Sequence, residues 1–251
     1  MPKYEIKLLR RMEVAAGTMS FFFEKPAGFE YKPGQNADYT LVNPPETDAE
    51  GNTRTFSFVS APYEPEIQIA TRMRDTAFKR VLRDMPLGTA VQFDGPMGSM
   101  TLQNDTSRPA VLLAGGIGIT PFISMVRHAA HEKLPHRIYL FYSNRRPADA
   151  PFLRELNDLQ NEDQNYHLIP TMTQADEEQW DGEVGYIDGA LLRKYLAAEA
   201  GGASGAPATD VLAAPIYYLA GPPAMTTAMR GMLNAAGVDD DYIKSEEFSG
   251  Y

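Results

Sequence analysis

Short apolar runs separated by turns fill the first hundred residues of the chain. The runs are YEIKLLRR, TMSFFFEK, ADYTLV, TRTFSFVS, EIQIATRMR and TAVQFDG, and glycine, proline and asparagine punctuate the intervals between them. One stretch, TAFKRVLRDM, has the pattern of a helix instead. Short strands at this spacing are typical of a closed antiparallel barrel. The pattern therefore predicts an N-terminal six-stranded antiparallel β-barrel with Greek-key order.

The pattern changes after Pro109, where apolar strands begin to alternate with helices. The strand runs are AVLLAG, RIYLFYS, YHLIPTMT, PIYYLAG and the more polar DYIKSEEF. The helical stretches are PFISMVRHAAHEK, PFLRELNDLQ, GALLRKYLAAEA and the segment from Ala224 to Gly237. Buried strands alternating with helices indicate βαβ units and a parallel sheet. We expect a C-terminal α/β domain with a five-stranded parallel sheet, and place the boundary in the polar loop QNDTSRP, so that the domains are 1–106 and 107–251.

Composition and charge narrow the function classes. A chain of 251 residues that is 43% hydrophobic is long enough for two ordinary cores. Its net charge of -10 argues against nucleic-acid binding, which needs a basic surface. It contains no cysteine, which excludes thiolate metal sites and cysteine-ligated iron–sulfur clusters on these residues. His128 and His131 lack the partners of a zinc site, so we expect no metal. No window is apolar enough to span a membrane, and we expect a cytoplasmic protein.

A glycine-rich turn, GGIGITPF, lies at Gly115 to Phe122 between the AVLLAG strand and a helix. It does not match the G-x-G-x-x-G dinucleotide fingerprint. A helix start nevertheless offers free N–H groups and a positive dipole, which suit phosphate, and a proline in the first turn is harmless. Such a turn is equally common as a purely structural feature, so the loop alone does not decide between the two interpretations.

The order of several motifs along the chain is more informative than any one of them. They are PGQ at Pro33, RTFS at Arg54, TRMRDTAF at Thr71, GPMGSM at Gly95, GGIGITP at Gly115, YSNRRP at Tyr142 and AGPPAM at Ala220. This order resembles the ferredoxin–NADP⁺ reductase family over nearly the whole chain. The resemblance implies that the barrel (1–106) binds FAD and that the α/β domain (107–251) binds NAD(P)H.

The resemblance assigns flavin contacts to the RTFS strand. Arg54 would pair with the flavin pyrophosphate, Phe56 would pack on the isoalloxazine, and Ser57 would hydrogen-bond near N5 in a catalytic role. Thr76 would present the start of a helix to the same pyrophosphate. The remaining residues assigned to the flavin are Thr55, Thr71 and Arg72. The alternative interpretation is an ordinary strand with a surface arginine and a core phenylalanine, followed by a plain helix cap at Thr76.

On the nicotinamide side, the resemblance assigns two facing loops to the dinucleotide. The first contributes Gly115, Gly116, Gly118, Thr120 and Pro121. The second contributes Gly221, Pro222, Pro223 and Met225. Ala220 stands where many members of the family have a cysteine, so we expect slower or differently tuned hydride transfer.

The YSNRRP stretch lies at the end of a sheet strand, where open α/β sheets bind ligands. Ser143, Arg145 and Arg146 are therefore assigned to the cofactor, and the two arginines favour NADPH over NADH because they can hold a 2′-phosphate. No acidic residue within this stretch favours a bare 2′-hydroxyl. An arginine here can also stack on adenine or face solvent.

The C-terminal sequence SEEFSGY resembles the tail of the family, in which an E-x-F motif or a terminal aromatic residue approaches the flavin. Glu246, Phe248 and Tyr251 are assigned catalytic roles on this basis. An aromatic residue over the ring would have to move aside for nicotinamide and would act as a gate. The alternative is a disordered tail.

The predicted function is that of an NAD(P)H-dependent, FAD-containing reductase that passes electrons to an unknown acceptor. An acidic ferredoxin or flavodoxin would suit the basic helix segment FKRVLR, although such a helix is more often simply exposed. Two other functions remain open. One is an electron-relay or regulatory flavin-binding subunit of a larger complex, and the other is a reductase of free flavin or ferric chelates.

Overall fold

The computed structural model describes residues 3–175, 180–200 and 211–248, without the side chains of residues 198–200. Its contacts divide the chain into two compact units. The first contains the described residues up to Leu102 together with Thr120–Glu132. The second contains Gln103–Ile119 and the described residues from Lys133 onward. The domain limits 1–106 and 107–251 stay a prediction.

The first unit is built on an antiparallel sheet with one helix. Its strands pair in the order β4-β3-β6-β1-β2-β5. Just after β4, the N–H of Val59 donates to the carbonyl of Gln68 on β5 over 2.8 Å, which joins the two ends of the sheet. The predicted barrel class is confirmed. The elements are β1 (Lys3–Ala15), β2 (Thr18–Glu24), β3 (Asn36–Leu41), β4 (Thr53–Ser57), β5 (Glu66–Arg72), α1 (Ala77–Asp84) and β6 (Ala90–Met97).

Aromatic side chains fill the barrel core. Phe21, Phe23, Phe58 and Phe93 are completely buried, and Tyr39 is almost so. Phe93 packs against Tyr39 at 5.3 Å and against Phe58 at 6.1 Å between ring centroids. Alternation along each strand produces this core, because every second side chain points inward. The same core forms the floor under the RTFS strand.

The helix that follows the glycine loop belongs to the first unit from Thr120 on. Ser124 donates its hydroxyl to the carbonyl of Ser60 over 2.7 Å. Arg127 donates to the carbonyl of Val59 over 3.1 Å and to the side chain of Gln68 over 2.9 Å. These bonds attach the helix to the segment that leads from β4 into β5.

The second unit contains a parallel sheet with the strand order β10-β9-β8-β7-β11-β12. The sheet has six strands where the sequence predicts five; the α/β class is confirmed. The extra strand, Glu183–Val184, pairs with Thr171 and Met172, and two residues are too short to show a periodic pattern. The remaining elements are β7 (Ala110–Gly115), α2 (Ile119–Glu132), β8 (Ile138–Asn144), α3 (Leu153–Glu162), β9 (Tyr166–Met172), β10 (Glu183–Val184), α4 (Gly189–Ala200), β11 (Ile216–Gly221), α5 (Pro223–Ala235) and β12 (Ile243–Glu247).

The direction of the strand order reverses beside β7. The chain moves outward from β7 through β8, β9 and β10, and then crosses to β11 on the other side of β7. Open α/β sheets bind ligands outside the carboxyl ends of the strands at such a switch point. The loops after β7 and β11 therefore occupy the position where a ligand of this sheet is expected. None of the helices in the described residues is long and apolar enough to span a bilayer.

Candidate functional site

Arg54 and Phe56 share one face of β4, as alternation predicts. The Phe56 ring lies 5.7 Å from Tyr39 and 5.8 Å from Phe78, and the Arg54 guanidinium carbon lies 5.3 Å from the centroid of Phe78. Phe56 is only partly buried, because the strand places it at the rim of the core. Thr55 points the other way, and its hydroxyl donates to Asp38 over 2.5 Å. The structure therefore groups Arg54 and Phe56 with α1 and leaves Thr55 apart from them.

Ser57 closes β4 with a buried side chain that is 3% exposed. Its hydroxyl oxygen has no hydrogen-bond partner within the described residues. A buried hydroxyl left in this state costs free energy, so buried polar groups without a partner call for an explanation. A ligand that brings a donor or acceptor to this position would satisfy it, which fits the predicted contact with a flavin nitrogen.

The start of α1 is a site for negative charge. Thr76 caps the helix and accepts a hydrogen bond from the Lys79 N–H over 3.4 Å. No acidic residue stands in the first turn. Burial and, to a smaller extent, the charges of Arg74 and Arg54 lower the pKa of Lys79 to about 8, against the opposing effect of Glu50. Cations that depress each other's protonation at a helix start make a favourable position for an anion.

The anion that occupies this position is the chain's own Asp48. One carboxylate oxygen accepts from the backbone N–H of Ala77 at 3.0 Å, and the other lies 3.3 Å from the Arg54 guanidinium. Burial acts to raise the pKa of Asp48. The N–H groups of Glu50 and Ala77 and the charge of Arg54 outweigh it and hold the pKa below its ordinary value. The carboxylate therefore occupies the position that the family resemblance assigns to phosphate oxygens.

Asp48 belongs to a segment, residues 42–52, that we call the acidic loop. Glu50 pairs with Arg54 at 2.9 Å, and Arg80 on α1 pairs with Glu46 at 2.6 Å and also with Asp75. Arg54 also donates to the carbonyls of three loop and strand residues, at 2.8–3.2 Å: Glu50, Gly51 and Thr53. These contacts hold the loop against the first turn of α1. Sequence reasoning missed them, because no motif indicates which way these loop side chains point.

The two other residues assigned to the flavin lie on β5. Thr71 is buried, and its hydroxyl donates to the carbonyl of Arg72 over 3.4 Å. The same carbonyl accepts from the Lys79 ammonium at 2.9 Å. The structure thus connects Arg72 with α1 through its backbone, and the hydroxyl of Thr71 is directed to its own strand.

The glycine loop and the AGPPAM loop contact each other directly at the switch point of the sheet. A Cβ on Gly118 would lie 2.2 Å from the carbonyl oxygen of Ala220. A Cβ on Gly115 would lie 2.4 Å from the Met225 sulfur and 3.1 Å from Pro222. A Cβ on Gly221 would lie 3.2 Å from the backbone nitrogen of Gly115, a tight but less severe contact. Gly118 is thus required by the close approach of two backbones, and Gly115 leaves room for the side chains of Met225 and Pro222.

Gly116 differs from its neighbours. Its φ is +54°, and a Cβ built on it would meet no atom within 4 Å. The chain turns here in the left-handed region, next to open space at the carboxyl end of β7. Pro222 and Pro223 begin α5 on the facing side. Thr120 and Pro121 lie in the first turn of α2 with buried side chains. The glycine loop therefore has both an exposed backbone position and a helix start.

The end of β8 holds two residues that sequence reasoning missed. Asn144 is 6% exposed, and its side-chain amide has no hydrogen-bond partner within the described residues. Asp149 lies just beyond the YSNRRP stretch, and its buried carboxylate pairs with Arg146 through contacts of 3.1 and 3.3 Å. Arg145 is more exposed and lies 3.8 Å from the same carboxylate. Ser143, half-buried, precedes this group at the carboxyl end of the strand.

The C-terminal segment continues the parallel sheet. Glu246 lies opposite Ala220 in the pairing of β12 with β11. The N–H of Phe248 donates to the carbonyl of Gly221 over 3.1 Å, so the chain extends past the carboxyl edge of the sheet beside the AGPPAM loop. The disordered-tail alternative is wrong for these residues. Tyr251 lies outside the described residues.

Comparison with known proteins agrees with the resemblance that the motifs carry. Residues 112–231 match the family model described as an oxidoreductase NAD-binding domain. The reductase component of propane 2-monooxygenase from Mycolicibacterium goodii is 28% identical over 228 residues, which cover 90% of this chain and 61% of that protein. The anthranilate 1,2-dioxygenase electron transfer component of Acinetobacter baylyi is 27% identical over 87% of this chain and 58% of its own length. The chain thus spans about three fifths of these curated relatives.

A solved structure shows the same fold over the whole length. The ferredoxin NADP⁺ reductase from Neisseria gonorrhoeae, crystallised with bound FAD and NADP, superposes with a TM-score of 0.78 at 20% identity, over 98% of both chains. The barrel class, the parallel sheet with its glycine loop at the switch point, and the matched NAD-binding segment agree with the resemblance carried by the motifs. The chain is thus similar to the ferredoxin–NADP⁺ reductase family in its motifs, its fold and its NAD-binding segment.

Proposed function

We propose that the chain is a flavoprotein reductase that oxidises NAD(P)H through bound FAD and passes the electrons to a separate acceptor. The observation that carries this proposal is the convergence of the Arg54 guanidinium and the first N–H of α1 on one carboxylate. This arrangement is a built anion site on the barrel that the family uses for flavin, and the Asp48 carboxylate stands in for phosphate oxygens there.

The barrel residues fit an FAD. Arg54 would hold the pyrophosphate with its planar fork, assisted by the helix start at Thr76 and by the ammonium of Lys79. Phe56 would offer an aromatic face to the ring, and Ser57 would gain a partner for its buried hydroxyl. Bound FAD would accept a hydride from NAD(P)H and pass its two electrons to the acceptor, while the proton is released to solvent.

The α/β residues fit a dinucleotide. The open backbone at Gly116 and the start of α2 would receive its pyrophosphate, and Pro222 and Met225 would form the facing wall. Asn144 would gain a partner for its amide. Arg145 would bind the 2′-phosphate of NADPH, because it is 57% exposed and only loosely paired, while Arg146 is held by Asp149. We therefore propose NADPH as the preferred coenzyme, with NADH also accepted.

The acceptor is proposed to be a small electron-transfer protein of the ferredoxin or flavodoxin kind. The support is the nature of two relatives, which are a reductase component of a monooxygenase and an electron transfer component of a dioxygenase. The basic face of α1 supports docking of an acidic partner less well, since Arg80 pairs with Glu46 and Asp75, and Arg83 pairs with Asp84. The cytoplasm is the proposed compartment, because NAD(P)H is produced there.

A second function is favoured by one observation. Asp48 satisfies Arg54 and the helix start without any ligand, so the barrel is self-consistent when flavin is absent. This suits a reductase that takes flavin as an exchangeable substrate. A pure relay or regulatory subunit has no comparable support.

The experiment is purification of the full chain, measurement of flavin per protein, and steady-state NADPH and NADH oxidation with ferricyanide as acceptor. A yellow protein with near-stoichiometric FAD that turns over without added flavin supports the bound-FAD reductase. A colourless protein that oxidises NAD(P)H only with added flavin supports the second function. Absence of oxidation under both conditions overturns both.

A further inference from the structure

The acidic loop, residues 42–52, raises the question of what a phosphate-containing ligand must displace. Its central carboxylate, Asp48, holds the Ala77 N–H and faces Arg54 at 3.3 Å. These are the same two groups that the proposed function assigns to the flavin pyrophosphate. Two anions cannot share one guanidinium and one N–H group at this distance without strong mutual repulsion.

We propose that Asp48 is an internal competitor for the phosphate site, so that it sets the affinity of the barrel for flavin dinucleotide. This inference rests on the proposed function, since it takes the Arg54 site to be the flavin pyrophosphate site. A phosphate-containing ligand enters only when the Asp48 carboxylate leaves Arg54 and Ala77. A flavin without phosphate meets no such competition.

Three features make Asp48 the effective member of the acidic loop. It alone among the loop acids combines a contact to Arg54 with a contact to a helix N–H. Its side chain is 31% exposed, so water screens its charge less than that of Glu50, which is 72% exposed. Glu46 pairs with Arg80 instead of Arg54.

The loop can release Asp48 without unfolding the barrel. It connects β3 to β4 at the surface, and its attachments to α1 are side-chain ion pairs of the acids and the N–H of Ala77. Ion pairs of this exposure are weak contacts, because water screens both charges. Displacement therefore lowers affinity by a modest and measurable factor.

The test compares the flavin-free full chain with Asp48→Asn and with Glu50→Gln, a matched control. Both variants remove one negative charge from the same loop beside the same arginine. Flavin fluorescence or calorimetry gives the affinity for FAD, and ADP and riboflavin serve as probes with and without phosphates. We expect Asp48→Asn to bind FAD and ADP about fivefold more tightly and riboflavin unchanged, while Glu50→Gln changes all three by less than about twofold.

A third variant separates this inference from the proposed function. Arg54→Gln is expected to weaken FAD binding. If Arg54→Gln weakens FAD but Asp48→Asn leaves FAD and ADP unchanged, the competition is overturned and the flavin site stands. Equal tightening of riboflavin by Asp48→Asn also overturns it. If Arg54→Gln leaves FAD affinity unchanged, the pyrophosphate site of the proposed function is wrong. If Asp48→Asn melts at a lower temperature than the wild type, Asp48→Ser repeats the test. Its hydroxyl oxygen offers the Ala77 N–H an uncharged acceptor.

Discussion

The two candidate sites are built in opposite ways. In the barrel, the site around Arg54 is made of charges that the chain has already paired, with Asp48 between a guanidinium and a helix N–H. In the α/β unit, the site around the glycine loop is made by leaving side chains out, and at Gly116 the backbone borders open space. A site of paired charges binds by exchange of one anion for another, whereas a site of bare backbone binds by filling space. Mutations should therefore act mainly on affinity in the first and on geometry in the second.

The largest expected effect is at Gly118. An Ala there would place its Cβ 2.2 Å from the backbone oxygen of Ala220, so that one of the two loops must move by a large part of an ångström. A displacement of this size in a reacting geometry costs about 100-fold in rate. We expect Gly118→Ala to lower kcat/KM for NAD(P)H by about that factor while the flavin content stays normal, since the residues proposed to bind flavin lie in the other unit.

The matched control for this change is Gly231→Ala in α5. It adds the same methyl group in the same unit, but no atom lies within 4 Å of that Cβ, so kcat/KM for NAD(P)H should stay nearly unchanged. Activity of Gly118→Ala within a few-fold of the wild type would contradict the argument from close approach.

The next effect is at Ser57, where the two kinds of measurement should separate. Ser57→Ala removes a buried hydroxyl that has no partner in the described residues. We expect the free energy of unfolding to stay unchanged or to rise by about 1 kcal/mol, because no hydrogen bond is lost. The same change removes the group assigned to the flavin nitrogen, so we expect flavin reduction by NAD(P)H to slow by about tenfold. Stopped-flow reduction and thermal unfolding measure the two quantities.

Ser60→Ala provides the contrast. The Ser60 hydroxyl accepts from Tyr31 and from the Gln68 N–H, each at 3.0 Å, so its loss should destabilise the barrel by about 1–2 kcal/mol and leave the reduction rate nearly unchanged. A Ser57→Ala variant that is destabilised but fully active would show that Ser57 has only a structural role.

Coenzyme preference should respond to the two arginines unequally. Arg145 is exposed and 3.8 Å from Asp149, whereas Arg146 is bound to Asp149 through two contacts. We expect Arg145→Ala to lower kcat/KM for NADPH by about tenfold and to leave NADH nearly unchanged, because one charge-assisted hydrogen bond to phosphate is lost. Arg146→Ala should lower kcat/KM for NADPH and for NADH by a similar factor, through its effect on the loop. If Arg146→Ala changes the NADPH/NADH ratio more than Arg145→Ala does, the assignment is reversed.

The smallest effect is a pH dependence of anion binding at the barrel. The pKa of Lys79 is about 8, below its ordinary value, so the ammonium is charged below that pH and neutral above it. An anion favours the charged form. ADP affinity should therefore fall about threefold between pH 7 and pH 9.5, the scale of one partly screened charge. For folding the sign is opposite, since stability from this group rises as the pH increases above 8.

The pH prediction is checked by titrating ADP into the wild type, Lys79→Gln and Arg83→Gln. Lys79→Gln should lose the dependence and bind at the weak, high-pH level throughout. Arg83→Gln removes a charge from the same helix, at a residue paired with Asp84, and should keep the dependence. A dependence that survives in Lys79→Gln would assign it to another group.

Local patterns carried most of the fold prediction. Six residues are enough to show the alternation in β3 and the continuous apolar runs of β7 and β11. The barrel and the parallel sheet could therefore be predicted. β10 could not, because two residues have no period and their pairing depends on β9. The glycine loop could be located, but the reason for Gly118 lies in the carbonyl of Ala220, about a hundred residues away.

The charges of the sites were harder to predict than their positions. The RTFS motif indicates where Arg54 lies, but its partner Asp48 comes from a loop without a motif. Asp48 also accepts a hydrogen bond from the N–H of Ala77, which lies 29 residues further along the chain. Asp149 lies three residues after Arg146, yet only the fold shows that its buried carboxylate turns back to that arginine. Ion pairs depend on side-chain direction in three dimensions, and a linear pattern does not contain it.

The most direct test of the central claim is anaerobic reduction of the FAD-loaded protein by NADPH and, separately, by NADH. The oxidised flavin absorbs at about 450 nm, a property of the cofactor. The account predicts rapid bleaching by both coenzymes, with NADPH faster, and slower bleaching in Gly118→Ala at unchanged flavin content. A flavin that stays oxidised with both coenzymes would contradict the reductase function and leave the barrel as a binding module.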